Sequence, residues 1–98
     1  MTKEMKRGQL MAESSLNGMC WNVIKFTKEE NGRGALEYYN MLIGACSIYL
    51  DFVETALKKW LAPNSVVYAK KLLKTACEEE GEDYEKVIHF VQNHNHDE

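Results

Sequence analysis

Between Leu36 and Leu61 the chain repeats apolar residues at helical spacing. Leu36, Tyr39, Ile43, Cys46, Leu50, Val53, Leu57 and Trp60 form one unbroken stripe at alternating intervals of three and four. Tyr38, Leu42, Ala45, Tyr49, Phe52 and Ala56 form a second stripe beside it. Polar or small residues occupy only a third: Glu37, Asn40, Gly44, Ser47, Asp51, Glu54 and Lys58. Residues three and four apart share a helix face, so the pattern predicts one long helix with a single narrow solvated strip. A helix apolar over most of its circumference belongs inside a bundle. Leu50, midway along the first stripe, is expected in the centre of the core.

Upstream, residues 3 to 28 read as another helix. Met5, Ala12, Leu16, Met19, Val23 and Phe26 supply its main stripe, with Gly8 and Gly18 weakening it. Leu10, Trp21 and Ile24 fall off that stripe. The Glu30-Asn31-Gly32-Arg33-Gly34 segment is a turn, with Gly32 placed to end the first helix. Such a short connection makes the two long helices antiparallel neighbours.

Pro63 stops the second helix, and Asn64 or Ser65 can cap a third that runs to about Glu80. Its apolar face is Val66, Ala69, Leu72, Leu73 and Ala76. Gly81 is a natural stop, and Asp83 can cap a last helix through Val91 with Tyr84, Val87, Ile88 and Val91 inward. The expected fold is all-α: a four-helix up-down bundle built on the long hairpin of helices one and two, with two shorter C-terminal helices. It forms a single domain over residues 1–98, with 93–98 as a fraying tail.

Composition narrows the function classes. The formal net charge is −3, and Arg7 and Arg33 are the only arginines. That balance disfavours a dedicated nucleic-acid binder. Cys20, Cys46 and Cys77 are far apart and odd in number, which fits reduced core thiols in a cytoplasmic protein and supplies no zinc-type pair. The longest uncharged run, residues 38 to 50, is too short for a membrane span. No phosphate loop, dinucleotide fingerprint, nucleophile elbow or calcium loop occurs. Gln92 and Asn93 after His89 do not match the helical phosphotransfer modules, so no cofactor is expected.

Two carboxylates, Asp51 and Glu54, share the polar strip of helix two. They could serve a metal-dependent helical hydrolase. Lys58, Lys59, Lys70, Lys71 and Lys74 gather around the turn at Pro63, and Glu78, Glu79, Glu80 and Glu82 around the opposite turn. One charged end could dock a partner of opposite sign, and the lysine end could make a weak nucleic-acid contact. His94 and His96 with Asp97 and Glu98 read as a polar tail rather than a metal site.

Catalytic motifs are missing while apolar helix surface is in surplus. The expectation is therefore a small non-enzymatic protein-binding or regulatory module, of the inhibitor, immunity-like or adaptor kind, with a protein partner. Two short helices cannot cover a long helix that is apolar nearly all round, so a homodimer is expected. Its contact would use Leu10, Trp21, Ile24, Met41 and Ile48.

Overall fold

A computed structural model describes residues 3–96 of the chain, with side chains through Asn93. Four helices make up the bundle: α1 (Lys3–Lys28), α2 (Gly32–Ala56), α3 (Ser65–Glu80) and α4 (Tyr84–His96). The long α1–α2 hairpin is its frame, and α2 touches all three other helices. α4 continues five residues past the Val91 end read from the pattern.

The hairpin turn is tighter than the sequence suggests. Glu30, not a glycine, takes the left-handed backbone at φ 59°. Asn31 donates its N–H to the Phe26 carbonyl at 2.8 Å and accepts the Gly34 N–H through Oδ1 at 3.0 Å. Asn31 is thus the N-cap of α2, and Gly32 opens that helix instead of closing α1. A Cβ on Gly34 would come within 2.9 Å of the Phe26 ring, so this glycine permits the close approach of α1 and α2. Phe26 stacks on Tyr38 with ring centroids 5.6 Å apart, which fills the space above the turn.

α2 ends at Ala56, one turn and more before the expected point near Leu61. Its hydrophobic period continues, yet Lys58 turns left-handed at φ 56° and the backbone leaves the helix. Burial explains the departure. Ala62 is buried and Leu61 half-buried, so the chain tucks back under the core to reach α3. Packing of two later residues overrides local helix preference. Trp60, read as part of the central stripe, is consequently 69% exposed.

The inward face of α2 straddles the two stripes. Leu36, Tyr39, Leu42, Cys46, Tyr49 and Val53 are buried. Ile43 and Leu50 lie half-buried at one edge, and Tyr38, Ala45 and Phe52 at the other. Leu50 therefore stands on the wall of a surface hollow and not at the centre, where Leu42 and Leu73 are fully buried. On α1 the core residues are Leu16, Cys20, Val23 and Ile24.

Asn64 caps α3 by accepting the Val67 N–H at 2.9 Å. Gly81 ends it in the left-handed region at φ 70°, and Asp83 Oδ1 accepts the Glu85 N–H at 3.0 Å to start α4. Val66 faces outward rather than inward, and Cys77 takes an inward position instead. Val87, Ile88 and Val91 close the core from α4, with Tyr84 half-buried.

Candidate functional site

The five apolar interface candidates do not form one surface. Ile24 is 3% exposed and belongs to the core, because α1 turns the flank carrying it toward α3 and α4. Leu10, Trp21, Met41 and Ile48 are exposed, with Ile48 the most open at 75%. Met41 and Ile48, seven residues apart, share one flank of α2. Trp21 belongs to a separate cleft.

The Ile48 flank forms one wall of a groove of about 410 Å³ that runs between α1 and α2. Ala45, Ile48 and Phe52 line it from α2, and Gly8, Ala12 and Ser15 from α1, over a floor of Leu16 and Tyr49. The lining is uncharged. The α1 wall was not legible as a site, since Gly8 reads as a weak point in a helix. Its signal is the recurrence of small residues at 8, 12 and 15, one flank of α1. Beneath the groove, the Tyr49 hydroxyl donates to Glu13 Oε1 at 2.9 Å, and Gln9 Nε2 donates to both at 3.4 Å. This small network satisfies the polar tip of an otherwise buried ring. Tyr49 also stacks on Tyr68 at 6.0 Å, which joins α2 to α3.

The second concavity, about 460 Å³, lies where the end of α1 meets the α3–α4 turn. Trp21 and Ile24 give it an apolar lining, and Lys25, Lys28, Glu29, Glu80 and Glu82 stand around it. Trp21 is half-exposed there. Lys28 pairs with Glu82 at 3.0 Å, which ties the α1 terminus to the turn. Lys25 lies over the Phe26 ring, 5.8 Å from its centroid. Glu78 and Glu79 are exposed at the same end of α3 but do not line the cleft.

Lys58 and Lys59 occupy the loop after α2, at the opposite end, where Lys59 shares a hollow with Met5. Lys70, Lys71 and Lys74 lie along α3. Lys58 and Lys59 are thus separated along the molecule from the Glu78–Glu82 group, whereas Lys74 lies one turn from Glu78 on α3. Asp51 and Glu54 line a shallow hollow of about 360 Å³ together with Asn64 and Ser65. Among the described residues no three His, Cys, Asp or Glu side chains converge. The backbone of His94 and His96 belongs to α4, and Asp97 and Glu98 lie outside the described residues.

The three cysteines are free and buried. Burial pushes the Cys20 thiol up to about 12, and Cys46 and Cys77 up to about 11. Protonated thiols are poor nucleophiles, so these side chains act as small core residues.

Comparison with protein-family models, with curated proteins and with solved structures found no match. Among the described residues no helix is long and apolar enough to cross a membrane.

Proposed function

We propose that the chain is a non-enzymatic protein-binding module that works as a homodimer, with the α1–α2 face covered by a second copy. The observation that carries this reading is the uncharged groove beneath an Ile48 side chain left 75% exposed. Apolar surface left in water costs on the order of 25 cal/mol per Å². A two-fold pairing covers it, because each copy then meets the same patch on the other. The material presented at the surface is apolar area and fixed charge, which suits recognition. Three protonated, buried thiols suit a reducing compartment such as the cytoplasm.

The Trp21 cleft lies away from the groove and is the surface we assign to a partner protein. Lys28 is engaged by Glu82 and Lys25 by the Phe26 ring. Glu29 and Glu80 are then the charges the cleft offers, beside the exposed Glu78 and Glu79. The matching segment is an apolar anchor flanked by basic residues.

Light scattering at low micromolar concentration tests the homodimer. The expected mass is twice the 11.3 kDa of one chain. Ile48→Glu is expected to return the single-chain mass with its helical circular dichroism intact. A parent protein that stays monomeric up to about 100 μM, a range in which specific interfaces normally associate, refutes the reading.

A further inference from the structure

The Trp21 cleft suits an apolar anchor flanked by basic residues, and the chain carries such a segment at its other end. Trp60 is exposed and follows Lys58 and Lys59 directly. Resting on the reading of the cleft as a docking surface, we infer that its occupant is a second copy of this chain. Trp60 of that copy enters the cleft, and its Lys58 and Lys59 meet Glu29 and Glu80.

The other exposed apolar side chains match the cleft less well. Met41 and Ile48 have no cation within one helical turn. Leu10, Met11, Val66 and Val67 do, but they lie on the walls of α1 and α3. Trp60 alone among them stands outside the helices. The left-handed turn at Lys58, φ 56°, takes the backbone out of α2 before Trp60 is reached. Continued as a helix, α2 would carry Trp60 on the stripe that holds Val53, seven residues earlier. The turn instead sets an indole and two ammonium groups in water together. Tryptophan and basic side chains are a combination that anchors protein interfaces.

The cleft answers in size, lining and charge. Its volume of about 460 Å³ lies in the range of sites that take up compact organic groups. Trp21 and Ile24 line it, and two indoles in offset contact attract beyond their buried area. Of its two cations, Lys28 is paired with Glu82 and Lys25 lies over the Phe26 ring. Among the described residues neither Glu29 and Glu80 nor Lys58 and Lys59 are in an ion pair. Docking brings these unpaired charges together with opposite sign, which speeds encounter and fixes register.

A chain cannot fill its own cleft. Lys59 shares a hollow with Met5. Met5 and Trp21 are about 24 Å apart along α1, at 1.5 Å per residue. The contact therefore joins copies, and it joins unlike surfaces. A copy without the loop still offers a cleft, and one without the cleft still offers a loop. One indole and two ion pairs make a small contact, at the weak end of specific interfaces. Its dissociation constant is expected at about 0.1–1 mM, above the concentrations that test the two-fold pairing.

The deciding experiment mixes two crippled copies, both carrying Ile48→Glu so that the groove takes no part. The first carries Trp60→Ser and is isotope-labelled. Its one remaining indole is that of Trp21, whose magnetic resonance signal reports on the cleft alone. The second is unlabelled and carries Glu29→Lys and Glu80→Lys, which spoil the cleft and leave the loop. All the replaced side chains but Ile48 lie at exposed positions outside the groove, and circular dichroism checks the helices. Adding the second copy is expected to shift the Trp21 signal toward saturation near 1 mM. Raising sodium chloride from about 0.05 to 0.3 M weakens the titration about threefold or more, because opposite charges are screened. Adding Trp60→Ser to the second copy weakens it about tenfold or more. A Trp21 signal unmoved by the intact loop, or moved equally by the loop without Trp60, overturns this occupant. A synthetic Lys-Lys-Trp-Lys-Lys peptide then separates the two readings. If it shifts the signal where the loop does not, the cleft stands as a docking surface for another basic segment. If it also leaves Trp21 unmoved, the docking reading falls with the occupant.

Discussion

Leu42→Ala probes the core most directly. Leu42 is fully buried at the boundary of the two apolar stripes of α2, and it is among the largest side chains with no exposure. The change deletes three carbon groups. At about 0.8 kcal/mol each, the lost transfer energy is about 2.4 kcal/mol. A residual cavity of about 50 Å³ at ~24 cal/mol per Å³ adds about 1.2 kcal/mol. The expected cost is therefore about 3.5 kcal/mol. Leu50→Ala is the internal comparison. Its side chain is half-buried on the wall of an open hollow, so no sealed cavity forms, and about 1 kcal/mol is expected. Urea titration followed by circular dichroism reads both values, with unchanged slope as the sign of intact two-state behaviour. A chain of this size has on the order of 5–15 kcal/mol in total, so Leu42→Ala remains folded at 25 °C while melting roughly 14–28 °C lower. Both variants are compared with the parent at one protein concentration, so that any self-association acts equally on all three. A larger loss at Leu50 than at Leu42 would refute the placement of the core and restore the simple heptad stripe.

Two further outcomes test the site and the thiols. Trp21→Ser is expected to change stability by no more than about 0.5 kcal/mol, while Ile24→Ala, three residues on, costs about 2–4 kcal/mol; a Trp21 loss as large as that at Ile24 would return the tryptophan to the core. The cysteine pKa values are raised by burial, to about 12 for Cys20 and about 11 for Cys46 and Cys77. Their stabilising contribution is complete below the unfolded-state thiol pKa near 9. It is lost as pH rises toward 12, because the unfolded chain releases its protons first. Buried Tyr39 and Tyr49 and half-buried Tyr68 and Tyr84 shift upward as well, chiefly through loss of solvent, and add to the same alkaline loss. Melting temperatures from pH 8 to 11 should fall, and native thiols should resist alkylation at pH 8; flat stability across that window would contradict the burial argument.

The helices were legible because their signals are local. Asn64, Gly81 and Asp83 act through atoms of their own neighbourhood, and each does what its residue type predicts. The misreadings have tertiary causes. Trp60 continues the helical period, but burial of Ala62 and Leu61 pulls the backbone out of the helix before it. Ile24 and Trp21 lie on adjoining parts of one helix flank, and only the positions of α3 and α4 decide that one is covered and the other is not. Met41 and Ile48 were visible as surplus apolar residues. The low wall opposite them was not, because Gly8, Ala12 and Ser15 gain meaning only when a second helix stands across a groove.

The pinned turn between α1 and α2 makes the hairpin a lever. Asn31 bonds both helices, and Gly34 holds Phe26 at contact, so the angle between the two arms pivots at that end. α1 has 26 residues, or about 39 Å at 1.5 Å per residue, so each degree of opening moves its far end by about 0.7 Å. Five degrees displace it by about 3.4 Å, nearly the width of a methyl group. Ser15, Ala12 and Gly8 sit progressively farther from the pivot and move progressively more. The bond from the Tyr49 hydroxyl to Glu13 spans the two arms within that region. It acts as the crossbar of the tongs, and the width of the groove is set there rather than at the hinge.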